Sequence, residues 1–488
     1  MTRQMPEVLS SSRDRGVQSG AARPGYDGPA PPGRATRPSG GDATVTNQLP
    51  ARIRATARRP GETGADVQVT LDEHGLTVGA AASAMWSAAY RDVAALAVEG
   101  GVVTVDLGQG PGAERWQFER LGTMAGLLVR VLREGRLRQR LADGLVETRP
   151  GTSIDLVEYA VGAESGIAQL LYHERGVVLA PVDERQPWRR IRRADIGAVE
   201  VEPSVGGVAV GGSGPSLAPA PDGGPALRLV RLGAGATEHA RRWTALRDGA
   251  MADATAIVTA LVPDAPFGTR SLASLRLLEG RPASPAALGE AWPVLEAAAL
   301  GVPPFDASYR VLRAIGGGDG APRWIACAPE TPGSPDRPRL WFLVGLPGNL
   351  VAMELVSDGA HATYLFRVLP RASFAGSLPD GALEAAVADI SEALLDARFL
   401  REPMALPAAQ LAAPAALRYR LALAALPSLA AARRAFVARV AHRDPASWEG
   451  ALRDLVAWHA TARDDGAEWP GRAAEEAQIS EEAGDPVG

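Results

Sequence analysis

The side chains best placed to do chemistry are arginines. Arg185, Arg189, Arg190, Arg192 and Arg193 crowd into nine residues around Trp188. Guanidinium groups at that density could hold a phosphate, a nucleic-acid backbone or anionic lipid headgroups, and the indole could stack on a ligand. A second set, Arg130, Arg133, Arg136, Arg138 and Arg140, falls on one helical stretch. Of these, Arg189, Arg190, Arg192, Arg193, Arg130 and Arg133 are the expected contacts for a partner or an anion. A salt-bridged or solvated surface is the competing reading, because alternate residues of a strand face opposite sides. The chain carries a net charge of −5, so nucleic acid is not the expected partner.

Nucleophile, cofactor and metal chemistry find little support. All 51 basic residues are arginine. Without lysine there is no Walker-type phosphate loop, no kinase strand lysine, no serine–lysine hydrolase and no pyridoxal Schiff base. Cys327 is the single cysteine, which excludes an internal disulfide and any zinc site needing two thiolates. It lies in an Ile-Ala-Cys-Ala run that reads as an inert core strand, with His361 as its one nearby histidine. The six histidines are scattered and show no HxH, HxxxH or HExxH spacing. The segment Gly211-Gly212-Ser213-Gly214-Pro215 lacks lysine, and Pro215 stands where a GxSxG nucleophile pattern needs glycine. No cofactor and no metal are therefore expected. The chain has no run of about 18 uncharged apolar residues, and no apolar stretch follows Arg3. A cytoplasmic location is expected, with a membrane-peripheral one as the alternative.

The elements that carry these residues repeat. Gly75-Leu76-Thr77-Val78, Trp86 and Tyr90-Arg91-Asp92-Val93 return as Gly176-Val177-Val178-Leu179, Trp188 and Arg193-Ala194-Asp195-Ile196. The offset grows from 101 at the glycine to 102 at the tryptophan and 103 at the aspartate, as duplicated modules with small loop changes would give. In module one, residues 63–148, apolar and polar residues alternate through 67–71, 76–78, 93–98 and 102–107, the pattern of half-buried strands. From Met124 the period lengthens to three and four through Leu127, Leu128, Val131 and Leu132, an amphipathic helix. Module two, residues 149–263, repeats that order, with a Gly/Pro-rich loop expected at 206–225. Trp86 and Trp188 read first as packing anchors, and Asp92 and Asp195 as acceptors for nearby backbone N–H groups.

Several strands closed by one amphipathic helix, with the Asp-Val/Ile signature at Asp92-Val93 and Asp195-Ile196, resemble tandem bacterial PH-like and GRAM-like domains over about residues 63–262. The resemblance implies a curved antiparallel sheet plugged by its helix, a fold used mostly to bind protein, peptide or lipid. The expected fold class is α+β: two PH-like modules, a third strand-rich α+β domain, a C-terminal helical hairpin and disordered termini. Residues 1–62, where ten arginines face four acids through residue 60, read as a disordered basic tail. Residues 264–305 read as a helical linker. Residues 306–403 form the third domain, with strands expected at 309–314, 323–328, 340–345, 350–356 and 362–368, and with a diverged third PH-like module as one option. The hairpin spans 404–463, broken near 442–445, and 464–488 is an acidic tail expected to be disordered. The function expected first is a non-catalytic adaptor for an unidentified protein partner. Binding to anionic membrane through the arginines is the alternative, and an enzyme with its site in 306–460 is the second.

Overall fold

The computed structural model describes residues 50–461, apart from 81–82, 109–112, 147–153, 184–185, 187, 222, 302–304, 357–361, 369–380 and 443. The first module comprises β1 (Ala51–Arg58), β2 (Ala65–Leu71), β3 (Gly75–Ala80), β4 (Ser83–Ala89), β5 (Val93–Glu99), β6 (Val102–Leu107), β7 (Glu114–Glu119) and α1 (Met124–Asp143). The second comprises β8 (Ile154–Val161), β9 (Glu164–His173), β10 (Gly176–Pro181), β11 (Arg189–Arg192), β12 (Ile196–Glu202), β13 (Gly207–Gly212), β14 (Leu227–Val230) and α2 (Ala236–Leu261). The sheet orders are β4-β3-β2-β1-β7-β6-β5 and β11-β10-β9-β8-β14-β13-β12. Each strand of one sheet occupies the place of the strand seven later in the other, so the sequence repeat is a repeat of topology.

That order dictates the shape. β4 ends at Ala89 and β5 begins at Val93, yet they are opposite edges of one sheet. Four Cα steps reach about 14 Å at most. The edges of a flat seven-stranded sheet would stand about 29 Å apart at ~4.8 Å per strand. The sheet must curl until its edges meet at a 3-10 corner, Tyr90–Asp92, and the second must do so at Arg193–Asp195. Asp92 Oδ2 accepts from the Ala89 N–H at 3.2 Å, and Asp195 Oδ2 accepts from Ser216 N–H and Oγ at 3.0 and 2.7 Å. Both aspartates are corner caps. The glycine of the repeat has the same physical reason in both copies. A Cβ on Gly75 would lie 2.1 Å from the Ala88 carbonyl oxygen, and one on Gly176 2.0 Å from that of Ile191.

Each closing helix is longer than its own module requires. Leu128 and Leu132 of α1 seal the first core against Ile53, Val69, Val103 and Phe118, while Leu137 and Leu141 pack on Leu171, Val178 and Ala180 of the second sheet. All six residues of β10 are therefore buried. In α2, Trp243 belongs to the second core, and Ile257 and Val258 belong to the C-terminal body. Burial of a Leu or Val is worth roughly 1.5–3 kcal/mol, so these apolar contacts rather than exposed ion pairs, at roughly 0–1 kcal/mol each, join the parts.

The C-terminal body contains α3 (Phe267–Arg276), α4 (Pro285–Leu288), α5 (Ala291–Leu300), α6 (Phe305–Gly316), β15 (Arg323–Pro329), β16 (Pro338–Leu346), β17 (Leu350–Val356), β18 (Ala362–Arg367), α7 (Ala382–Asp396), α8 (Glu402–Ala405), α9 (Ala408–Ala412), α10 (Leu417–Ala425), α11 (Pro427–Ala435), β19 (Phe436–Ala441) and α12 (Pro445–Thr461). Its antiparallel sheet runs β15-β16-β17-β18-β19 and is covered on both faces. In β16, Leu340, Phe342 and Val344 face one core and Trp341 and Leu343 the other, which explains the unbroken apolar run. Five strands buried on two sides are a different architecture from the curled sheets, so this body is not a third copy of the module.

The structure corrects several expectations. Residues 51–58 are β1, because Ile53, Ala55 and Ala57 alternate with arginines and are buried; small alanines hid the period. Residues 207–212 are β13 rather than loop, with Val208 and Val210 in the core between glycines. Residues 264–305 are no linker, since Ala273, Leu277, Leu288, Trp292 and Leu295 are core residues of the C-terminal body. The strand expected at 309–314 is α6, whose buried Phe305, Tyr309 and Leu312 have helical spacing. The hairpin expected at 404–463 is interrupted by β19, the edge of the third sheet. Of the tails expected to be disordered at 1–62 and 464–488, residues 1–49 and all of 464–488 lie outside the described residues.

Because the two repeat glycines face a backbone carbonyl near the end of the strand that runs into the corner, Gly75→Ala and Gly176→Ala should each cost about 1–3 kcal/mol. Urea denaturation of the two variants measures it, and Gly61→Ala, where a Cβ meets nothing within 4 Å but φ is +84°, separates crowding from backbone strain.

Candidate functional site

β11 brings Arg189, Arg190 and Arg192 to one edge of the second sheet, with Arg193 in the corner that follows. Arg190 and Arg192 share the outer face, about 6.6 Å apart along a strand. Residues four apart on a helix advance about 6 Å, and α7 presents Glu392 and Asp396 at that spacing. Two rungs result: Arg190 Nη1 to Asp396 Oδ1 at 3.1 Å, and Arg192 Nη1 to Glu392 Oε2 at 3.7 Å. Arg189 reaches Glu164 at 2.6 Å on the half-exposed rim. Arg193 is buried, donating from Nη2 to Asp253 at 2.7 Å and from Nε to Glu279 at 2.8 Å. Asp253 also accepts from the Gly333 N–H at 3.0 Å, so the pair reaches the β15–β16 hairpin. Arg175 donates to the Glu330 carbonyl at 2.7 Å. His173 beside them is pushed down to about 3, first by burial and then by Arg190 and Arg175, and stays neutral. Asp195 is desolvated, but hydrogen bonds from Arg281 and Ser216 and the charge of Arg192 hold its carboxyl below the usual range. Four of the six arginines singled out in the sequence thus meet carboxylates of their own chain.

These arginines nevertheless border a cleft of about 780 Å³. Its polar side is Arg190 and Arg192 with Glu392 and Asp396. Its apolar side is Leu141 and Val146 after α1, Val178 of β10, and Leu421 and Leu426 from the α10–α11 elbow. Trp188 stands between the two sides under Arg140, whose guanidinium is 4.8 Å from the ring centroid. Trp86, its counterpart, packs on Trp116 at 5.0 Å. Both tryptophans are packing residues in their modules.

Arg130 and Arg133 lie elsewhere, on a groove of about 380 Å³ between α1, β5 and the outer face of β8–β9. Ala125, Gly126 and Val129 form its helical wall; Val98, Ile154 and Leu156 form the rest. Beyond the corner, and among the described residues, β5 has no strand neighbour except β6. Arg136 caps the Ala94 carbonyl at the near end of this edge. Val98, Leu156 and Ile167 are 48%, 64% and 51% exposed. Leu156 lies opposite Gln169 in the β8–β9 register, so Ile167 is its diagonal neighbour on the same face. The sequence carried this signal: in Ile154-Asp155-Leu156-Val157 both phases of the strand are apolar, and one phase must face outward.

No family model and no curated protein matches the chain. Function therefore has to come from the sites themselves.

Among the described residues of 306–460, Thr363, His442 and Glu354 form a cluster of catalytic residue types. Thr363 Oγ1 lies 3.0 Å from His442 Nε2 and 3.1 Å from Glu354 Oε2, and it accepts from Trp448 Nε1 at 3.1 Å. Thr363 is 0% exposed and Glu354 is buried, so the hydroxyl faces the core, where no substrate reaches it. Burial pushes the Glu354 carboxyl up to about 7, against the pull of hydrogen bonds from Ser308 and Thr363. Cys327 is buried and its thiol is pushed up to about 12, so it carries no thiolate near neutrality. His361 lies outside the described residues. Among the described residues no group of three or more His, Cys, Asp or Glu could hold a metal.

Two outcomes follow from the charges. Arg193→Met removes the arginine from buried Asp253 and leaves Glu279 to Arg175 at 3.5 Å, and should cost about 3–5 kcal/mol, whereas Arg189→Ala should cost at most about 1 kcal/mol; denaturant unfolding of both variants compares them. At Glu354 the folded carboxyl holds its proton up to about pH 7 while the unfolded one releases it near the ordinary value of 4.5. Its contribution to stability is thus fully favourable below about 4.5, falls as pH rises to about 7 and is flat above that. Melting curves from pH 4.5 to 8 should show a shallower decline for Glu354→Gln than for the wild-type chain.

Proposed function

We propose that the protein is a non-catalytic interaction scaffold of the cytoplasm, built on two PH-like modules, with its docking site in the groove along β5 and α1. The shared strand order, the three-residue corner and the closing helix support the PH-like reading. The observation that carries the docking site is the exposure of Val98 and Leu156 in one groove at a sheet edge, with Ile167 exposed diagonally beside Leu156 on the same face. Contiguous exposed apolar side chains rimmed by charge mark interaction surfaces, and an open edge offers main-chain hydrogen bonds to an extended segment. Arg130 and Arg133 on the rim favour a segment with acidic flanks. Among the described residues no helix is long and apolar enough to cross a membrane. Attachment to an anionic bilayer draws on the β11 arginines, but Arg190 and Arg192 are set inside a cleft with carboxylate partners and do not present an open basic face to a membrane surface.

A Cβ on Gly126 meets nothing within 4 Å, so Gly126→Leu fills the groove and improves helix propensity by up to about 1 kcal/mol. Tagged full-length protein should retain a host partner at moderate salt, and Gly126→Leu and Leu156→Glu should each lower recovery at least ten-fold with no fall in melting temperature. Equal recovery by both variants, or retention only on anionic vesicles at low salt, would overturn the assignment.

A further inference from the structure

We propose that the cleft where the two modules and the C-terminal body meet binds a small amphipathic monocarboxylate, its charge on Arg190 and Arg192 and its apolar body against Leu141, Val178, Trp188 and Leu426. This site is separate from the docking groove and does not rest on it. A volume of about 780 Å³ lies within the roughly 300–1,000 Å³ typical of small-molecule sites, which favour junctions between structural units. All three parts contribute to the wall: α1 and the residues after it, β10–β11, and α7 with α10–α11. Its polar and apolar sides are continuous, which suits a ligand with one charged end.

The chemistry of the polar end narrows the class. Arg192 is held to Glu392 at 3.7 Å, the looser rung, while the Arg190–Asp396 rung at 3.1 Å is reinforced by Ser428 Oγ donating to Asp396 at 2.7 Å. Burial raises the Glu392 carboxyl despite the nearby Arg192, and Asp396, Asp195 and Asp389 push in the same direction. Glu392 is therefore the carboxylate that an incoming anion displaces from Arg192 Nη1, while Nη2 keeps its hydrogen bond to the Glu279 carbonyl at 3.2 Å and holds the guanidinium in place. Arg189 Nε has no hydrogen-bond acceptor, and Arg190 Nη1 meets Asp396 as an ion pair without hydrogen-bond geometry, so donor capacity remains on the same strand. Asp143, Glu392 and Asp396 in the wall repel a second negative charge. That favours a monocarboxylate over a phosphate monoester.

Decanoate, held below its micelle concentration, is the probe for the full-length chain. Calorimetry should show one saturable site, and the melting temperature should rise with ligand as expected for binding to the folded state. Decanol and acetate, each lacking one half of the ligand, should bind at least ten-fold more weakly. Ala424 is exposed on the cleft wall, so Ala424→Trp fills the cleft from outside the core and should cut affinity at least ten-fold at an unchanged melting temperature. Arg192→Gln should remove the preference for decanoate over decanol; if that variant does not fold, Ala424→Trp decides alone. Absence of saturable decanoate binding, equal binding by decanol, or affinity unchanged by Ala424→Trp would each overturn the proposal.

Discussion

Three residues must carry the chain from one edge of a seven-stranded sheet to the other, and most of the structure depends on that constraint. A connection of about 14 Å cannot span a flat sheet about 29 Å wide. The sheet closes on itself instead, leaving one end for a helix to fill. Each corner carries a carboxylate, Asp92 bonding the Ala89 N–H at its own entrance and Asp195 tying the second corner to Ser216, and each needs a residue without a side chain on the facing strand, supplied by Gly75 and Gly176. The recurring residues of the duplicated motif are the requirements of a corner. They are silent about ligands because they do not face any.

The two corners diverge at their first position, and the divergence decides how the parts are joined. Tyr90 is buried against α1, where Gly135 leaves room for its ring. The same place in the second module holds Arg193, with Gly249 of α2 beside it. A tyrosine completes its own module. An arginine in that position needs counter-charges, and it finds them in Asp253 at the far end of α2 and Glu279 beyond it. Glu279 is held at a φ of 42°, a conformation rare for a non-glycine residue, which aims its carboxylate at the corner. Buried ion pairs add little net stability over an apolar packing of equal shape. Their effect here is to fix where the second module sits on the C-terminal body, since a small shift would leave three buried charges unpaired.

What could be read from the sequence follows the same division. The seven-strand order was half visible, because alternation in 67–71, 102–107 and 154–159 is strong, and Gly75 and Gly176 punctuate it. β1 and β13 were hidden by alanine and glycine, whose small side chains fill a core without announcing a period. α6 reads as a strand because Tyr309, Val311 and Ala314 blur a helical repeat whose true face is Phe305, Tyr309 and Leu312. β19 follows directly on the alanine-rich α11, and its strand alternation starts without a turn signal. At the candidate sites the arginines were visible and their partners were not. Asp253, Glu279, Glu392 and Asp396 are separated from β11 by some sixty to two hundred residues, and nothing local marks them.

Arginine density was the strongest chemical signal in the chain, and it misdirects unless the counter-charges are known. A chain that uses arginine for every positive charge will place guanidinium groups in cores, on helix faces and at interfaces alike. Their planar, multi-donor geometry lets one group satisfy several acceptors at once, as Arg281 does with Asp195 and the carbonyls of Ala194 and Ser213. Most such residues are then committed internally, and the arginine count says little about anionic partners. The better guides are mismatches between side chain and surroundings: apolar residues left in solvent beside an open sheet edge, and an arginine whose carboxylate partner sits farther away and is held by fewer bonds than its neighbour's. Both exist because α1 and α7 are laid across a curled sheet whose shape was set at the corner. A helix can follow such a surface only along part of its length, and where it departs, a groove or a cleft remains.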